Sequence, residues 1–319
     1  MTVISVLVVL GFVGFHIWVR PPAQTPPPPP GNQVDTSSST GADSSDEQLP
    51  SDLVRREGVY VFLLAGTDND GFRTDTMMVA TYDIPNQTVG LVSIPRDTII
   101  DRGAGKNPKL VYGQGGVEQR MQDISHLLGI PIDYYARVNL RGFVKLVDYV
   151  GGIDFYVPCN MDYDDPYQNL SIHYTKGMQH LTGQQALEVA RFRKNNDLSG
   201  YTDVGRTQTQ QKLLIALAKK VLAWNSLTKV NGFVEIFNQH VKTDLELPDM
   251  LYFASQSIYL DPSSGLETYT IQGNGETTFR GYTYCYAPDP ESTLDAVNRL
   301  LNPYTRELTL EDMNLYPAS

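Results

Sequence analysis

Beyond residue 58, short apolar runs alternate with stretches of helical periodicity, and that alternation narrows the fold more than any other feature. Residues 59–64 (VYVFLL) form a continuous apolar run, the pattern of a strand covered on both faces. A loop signal follows at 65–68 (AGTD). Residues 77–82 and 89–94 read as two further strands, joined by a turn at Pro85-Asn86. Helical spacing returns at 117–128, a strand at 134–138, and a helix at 143–150 that two glycines, Gly151 and Gly152, are placed to close. A strand at 153–157, a helix opening at 182, a helix from Asp203 to about residue 224, a helix at 245–259, a strand at 267–271 and a helix at 291–301 complete the series. Helices interleaved with strands predict an α/β fold in which helices cover a sheet.

Five arginines fall on the ends of these elements. Arg73 and Asp75 precede the second predicted strand, and Arg96 and Asp97 follow the third. If those strands pair as a hairpin, both Arg/Asp pairs meet at one sheet edge. Arg191 and Arg193 are two apart, so they share a side only if the chain is extended there, which requires the helix to end near Ala190. Asp203 is placed to cap the following helix, in which Arg206 and Gln210 lie four apart on one face. That face turns apolar beyond, at Leu213, Leu214, Leu217 and Val221. A planar guanidinium binds phosphate through two parallel hydrogen bonds and stays charged, and a helix N-terminus also favours anions. The set reads as a focused anion site.

The surrounding charge sharpens this reading. The chain holds 25 Lys plus Arg against 36 Asp plus Glu, a net charge of −11. Nucleic-acid binding needs a basic face, so this balance argues against it. Asp68, Asp70, Asp75, Asp97 and Asp203 are the acids near the arginine segments, able to hold Mg²⁺ or accept a proton. The Asp68 to Gly71 stretch lacks the remaining ligands of a calcium loop and reads as a turn. His16, His126, His173, His180 and His240 are scattered without metal spacing. No nucleophile elbow, P-loop, zinc-protease or dinucleotide motif is present. Cys159 and Cys285 are the two cysteines, compatible with one disulfide or with two buried thiols.

Residues 1–19 are apolar and carry no formal charge apart from any on His16, long enough to span a bilayer core. They lack the basic start and small-residue cleavage site of a removable leader, so they read as a transmembrane anchor. Residues 20–55 read as a disordered Pro/Ser/Asp-rich linker, with a polyproline run at 26–30 and a polar acidic stretch at 36–48. Residues 56–319 then form a globular domain held off a membrane. Arg20 alone would put the domain side in the cytoplasm.

Several separated segments resemble the LytR-CpsA-Psr family: residues 66–78 with RTDTMM, SIPRDT at 93–98, YVGGI at 149–153, GMQHLTGQQALEVARFR at 177–193, and DVGR at 203–206 followed by Gln210 and Gln211. The match runs over roughly residues 58–225, and Tyr282, Tyr284, Pro288 and Asp289 are similar to the family's tail. The resemblance implies a three-layer α/β/α domain whose central mixed sheet encloses a hydrophobic tunnel. It implies a single-pass, membrane-anchored protein whose catalytic domain, 56–319 with a C-terminal extension, is extracytoplasmic, against the weak signal of Arg20. The implied activity is a Mg²⁺-assisted phosphotransferase reaction, moving a glycopolymer from a polyprenyl-pyrophosphate carrier to a cell-envelope acceptor, commonly peptidoglycan, as a phosphodiester. Arg73, Arg96, Arg191, Arg193, Arg206 and Gln210 would contact the pyrophosphate, Asp75 would serve Mg²⁺ or the arginine network, and Asp75 or Asp203 would take the acceptor proton. The alternatives are a pyrophosphatase using water as acceptor and a non-catalytic binder of the glycopolymer lipid. Thr209 stands where many members carry Arg, the segment 109–116 is shorter than usual, and the stretch from Lys194 to Thr202 is longer.

Overall fold

The structure, a computed structural model, describes residues 20–28, 52–67, 74–112, 116–168, 170–197, 199–200, 203–222, 230–261 and 264–316. Its centre is a six-stranded mixed sheet. Strand β1 (Val59–Thr67) pairs antiparallel with β2 (Thr74–Asp83), which pairs antiparallel with β3 (Thr88–Ile94). On its other side β1 runs parallel to β4 (Tyr134–Asn139). The edges are β9 (Val241–Thr243), antiparallel to β4, and β10 (Leu266–Thr270), parallel to β3. Three two-stranded pairs stand apart: β5 (Ile153–Val157) with β8 (Gly177–Leu181), β6 (Met161–Asp165) with β7 (Leu170–Tyr174), and β11 (Gly273–Phe279) with β12 (Tyr282–Pro288).

Seven α-helices lie among the described residues: α1 (Gly116–Leu128), α2 (Leu140–Tyr149), α3 (Gly183–Arg191), α4 (Asp203–Leu222), α5 (Val230–His240), α6 (Leu247–Ser257) and α7 (Pro290–Leu300). The local signals behave as their chemistry requires. Thr182 caps α3 in a reciprocal capping box with Gln185, and Asn139 caps α2 by accepting from the Gly142 N–H. Gly151 and Gly152 both take φ of +84° just past α2, a conformation glycine adopts at low cost.

The two faces of the sheet differ, and β1 shows how. Val61 and Leu63 are fully buried in the main core, packed with Val79, Val92 and Ile94 from the neighbouring strands and with Ile124, Leu127, Val297 and Leu300 from α1 and α7. Burial of one such side chain contributes about 1.5–3 kcal/mol. The alternate row of Tyr60, Phe62, Leu64 and Gly66 looks the other way, toward α2, α4 and α6, and its last three members are only half-buried. A second core fills the space beyond, with Phe143 and Val147 of α2, Val189 of α3 and Leu213 and Leu217 of α4. The result is the expected three layers. The run at 59–64, read as a strand covered evenly on both faces, is in fact dense on one face and loosely covered on the other.

Close contact between β3 and α7 depends on Gly90, whose missing side chain leaves room for the carbonyl group of Leu300. Gly90→Ala is expected to lower stability by about 1–3 kcal/mol, because a Cβ there must displace backbone. A urea unfolding curve should show a lower midpoint at unchanged slope; an unchanged midpoint would refute the packing argument.

Both ends of the stretch expected as a linker, 20–55, are instead bound to the domain. Gln24 donates to the carbonyls of Arg56 and Val59, the Thr25 N–H donates to Asp133, and the hydroxyls of Tyr60 and Tyr134 donate to the carbonyls of Pro22 and Ala23. At the other end, Arg55 binds Asp133, and Thr305 donates to the Val54 carbonyl. These ties come from residues far along the chain, which local composition does not reveal. The polar stretch 36–48 lies outside the described residues, as does the apolar segment 1–19. No helix among the described residues is long and apolar enough to cross a membrane. Cys159 and Cys285 sit in separate clusters and are both free thiols, so no disulfide joins them.

Candidate active site at one end of the sheet

The expected hairpin forms. In the β2–β3 register Met77 faces Ile94, so the start of β2 and the end of β3 lie at one edge of the sheet. Arg96 leaves β3 in a turn held from three directions. The Pro95 carbonyl accepts from the N–H and hydroxyl of Thr98, the Arg96 carbonyl accepts from the Val111 N–H at 2.8 Å, and the Asp97 carbonyl accepts from the Tyr286 N–H at 2.8 Å. Asp97 lies between two cations, Arg96 Nε at 3.5 Å and Lys109 Nζ at 3.4 Å. One carboxylate facing two cations leaves the cluster net positive, as an anion site requires. The Arg96 side chain stays 28% exposed.

The second half of the site is built around Gln210 on α4. Its Oε1 accepts from the Thr76 hydroxyl of β2 at 2.8 Å, and its Nε2 donates to the Ala190 carbonyl of α3 at 3.1 Å. One side chain thus ties strand, helix end and helix start together. The neighbours of these three anchors are predicted site residues: Asp75 beside Thr76, Arg191 beside Ala190, and Arg206 one turn before Gln210. Helix α3 ends at Arg191, and Phe192 is extended (φ −58°, ψ 133°) and fully buried. Arg191, half-buried, and Arg193, exposed, flank it. The chain leaves the helix one residue past the expected point.

Arg73, Asp68 and Asp70 lie outside the described residues. Asp75 falls inside β2 rather than before it, and Asp203 is the first residue of α4; the side chains of both lie outside the described part of the structure. Thr209, expected at the rim, is buried, and its hydroxyl donates to the Gly205 carbonyl, so position 209 faces the helix packing. The stretch after Arg193 is a compact turn. Lys194 bridges to Gly200, and the Asn195 and Asn196 side chains accept from the N–H groups of Asp162 and Asp164 on β6.

Behind Gln210 and Thr76 an apolar cavity of about 240 Å³ opens between the half-covered face of the sheet and the helices. Leu64, Gly66 and Met78 form its sheet wall with Ala136 and Val138, and Phe143, Leu146, Leu213 and Leu217 its helix wall. The half-exposed row of β1 is the floor of this cavity. Unfilled apolar volume forfeits dispersion contacts, so it is a feature that packing alone would remove. A larger hollow of about 1160 Å³ lies between residues 100–103 and the C-terminal segment. Within it Asp101 accepts from Arg280 and Tyr316, and Arg102 binds Asp123. Tyr316, Gly103 and Arg280 together hold the Asp101 carboxyl below its ordinary range, although partial burial pushes it up.

Three features escaped sequence reading. Lys109 is brought to Asp97 by a backbone pairing of the segment 109–111 with residues 96–99. Thr76 carried no signal beyond its place in RTDTMM. Asp162, Asp164 and His173 meet on the exposed face of β6 and β7, with His173 Nδ1 2.8 Å from Asp162; contact with that carboxylate raises the His173 pKa above its usual value. The strands carrying this trio were not legible, because their outward residues are charged and their inward apolar positions are few. The trio stands apart from the cavity lining.

Comparison with known proteins is consistent with this geometry. The family model described as the LytR_cpsA_psr family matches residues 31–300. A protein from Bacillus anthracis (strain CDC 684 / NRRL 3495) named polyisoprenyl-teichoic acid–peptidoglycan teichoic acid transferase TagU is 33% identical over 263 residues, covering 81% of this chain and 83% of that protein. The crystal structure of Bacillus subtilis TagV superposes with a TM-score of 0.66 at 27% identity, covering 79% of this chain and 100% of that one. Bacillus subtilis TagU superposes with a TM-score of 0.57 at 25% identity over the same shares.

Proposed function

The chain belongs to the LytR-CpsA-Psr family, and on that footing we propose that it transfers a polyisoprenyl-linked glycopolymer to a cell-envelope glycan such as peptidoglycan. The observation that carries this reading is the apolar cavity ending at Gln210, where the arginine-bearing elements converge. The isoprene units next to the pyrophosphate suit the apolar cavity, and the pyrophosphate then meets Arg96, Arg191 and Arg206. Residues 1–19 anchor the chain in the cell membrane, with the domain extracytoplasmic.

In the proposed reaction an acceptor hydroxyl oxygen attacks the sugar-linked phosphorus. The bond from that phosphorus to the bridging oxygen breaks, and polyprenyl phosphate leaves with the electron pair. The hydroxyl proton passes to a carboxylate, Asp75 or Asp203, the acids carried near the start of β2 and at the start of α4. The arginines stabilise charge gathering on the phosphoryl oxygens, usually the main term in such a transfer. Mg²⁺ on polyphosphate is commonly held by one or two carboxylates plus the phosphates themselves, and a single acid at position 75, near the start of β2, suits that mode. When bound, the ion would neutralise phosphate charge.

The test incubates the protein with a polyprenyl-pyrophosphoryl glycan and a glycan acceptor, with Mg²⁺ or with a chelator. Glycan-linked phosphodiester, lost on chelation, is the expected product. Free sugar phosphate would indicate water as acceptor, and bound, unreacted lipid would indicate a binder; either result overturns the transfer reading. Ala136→Trp, which fills the cavity from the sheet side, is expected to abolish product formation. Undiminished product from this variant, still folded by its melting curve, would remove the cavity from the argument.

A further inference from the structure

The bound N-terminal segment has a geometric consequence that rests on the membrane-anchor reading above. Residues 22–25 are fastened to the starts of β1 and β4 by the contacts of Gln24, Thr25, Tyr60 and Tyr134. Only Arg20 and Pro21 separate this dock from the apolar segment 1–19, and two residues span at most about 7 Å. Residues 29–51 cannot then act as a spacer between membrane and domain. Both their flanks, at Thr25 and at Arg55, are fixed to one carboxylate, Asp133.

We propose that the end of the sheet carrying this dock is a membrane-facing surface, with α6 lying against the lipid. Helix α6 begins just beyond β9, where Tyr135 donates to Asp244, and the chain after it re-enters the sheet at the start of β10. Both its ends therefore lie at the docked end of the sheet. Its inner side rests on the same tyrosines that hold the N-terminal segment, with the Phe253 ring 5.0 Å from Tyr60 and 6.2 Å from Tyr134. None of its residues is fully buried, although seven of its eleven are apolar or aromatic. Among the described residues nine large hydrophobic side chains are exposed, and three of them, Leu247, Ile258 and Tyr259, belong to α6 and the two residues after it. Exposed apolar groups concentrated on one face mark a contact surface, and tyrosine suits the lipid interface. Glu246 and Asp249 at the start of α6 make this face acidic, so the contact is apolar rather than a basic patch reading anionic lipid.

This orientation places the arginine site at the far end of β1. Nine residues at about 3.3 Å each set it roughly 25–30 Å from the lipid surface. Along β1, Leu64 and Gly66 line the cavity, while Tyr60 and Phe62 carry the Phe253 ring at the docked end.

The full chain is reconstituted in phosphatidylcholine vesicles containing an acyl-chain quencher. A fluorophore is attached at Ile258→Cys or, for comparison, at Tyr167→Cys, each in a Cys159→Ser background. Strong quenching at 258 and none at 167 is expected. Deleting residues 36–48 should leave the signal at 258 unchanged, and Gln24→Ala combined with Thr25→Pro, which removes the N–H bound to Asp133, should reduce it. Protein that floats with the vesicles but shows no quenching at 258 overturns the proposal, as does quenching that depends on 36–48 or ignores the Gln24 and Thr25 changes. Failure to float overturns the anchor reading and this one with it, and flotation separates that case from the others.

Discussion

Arg96→Ala is expected to reduce glycopolymer transfer by about 10²–10³-fold, the usual loss when one preorganised donor to a developing anion is removed. The reason is positional. The Arg96 side chain leaves a turn whose backbone is fixed by Thr98, Val111 and Tyr286, and its Nε is steered by Asp97. The turn is held by backbone groups, so the substitution leaves its shape and the melting temperature nearly unchanged. Arg96→Lys should recover only part of the activity, because an ammonium group keeps the charge but loses the planar fork. The measurement is phosphodiester formed from a lipid-linked glycan, alongside a melting curve. Normal turnover by the folded alanine variant would sink the assignment of Arg96 to the pyrophosphate.

The second large effect is on stability. Asp133→Ala is expected to cost about 3–5 kcal/mol, as for other buried pairs that lose one partner. The Asp133 side chain is fully buried, and Arg55, its ion-pair partner, is 11% exposed. Its two oxygens accept from Arg55, from the Val61 N–H at 2.8 Å and from the Thr25 N–H at 2.6 Å. Removal strands a buried guanidinium and an orphaned strand N–H, and releases the N-terminal segment. Asp133→Asn keeps the shape and should cost less. Urea unfolding followed by circular dichroism is the check, and an alanine variant within about 0.5 kcal/mol of the parent, the scatter of ordinary surface changes, would contradict it.

Strongly periodic or capped segments were legible from sequence. The runs at 59–64, 77–82 and 89–94 became β1, β2 and β3, and the capping signal at Thr182 and the glycine pair at 151–152 fell where their local chemistry placed them. Strands β6 to β9, β11 and β12 and helix α5 were not. β11 (GNGETTF) has almost no apolar residue to show alternation, and β9 is three residues long. Such strands form because a partner supplies their hydrogen bonds, and the partner is remote in sequence.

The site divides in the same way. Arginine beside acid at element ends is a local pattern, so Arg96, Arg191, Arg206 and Gln210 could be named as candidates from sequence, and antiparallel pairing alone brought the start of β2 to the end of β3. Which groups hold them there could not be read. Lys109 reaches Asp97, Gln210 joins Thr76 to Ala190, and Asp133 gathers residues 25, 55 and 61, all through contacts between distant parts of the chain. The sequence by itself determined the strongly periodic elements and the family, because these reside in side-chain type and short-range spacing. Only the tertiary structure decided that one face of β1 stays half-covered to leave a cavity, and that the stretch before the domain is bound to it, because both depend on what packs across the sheet.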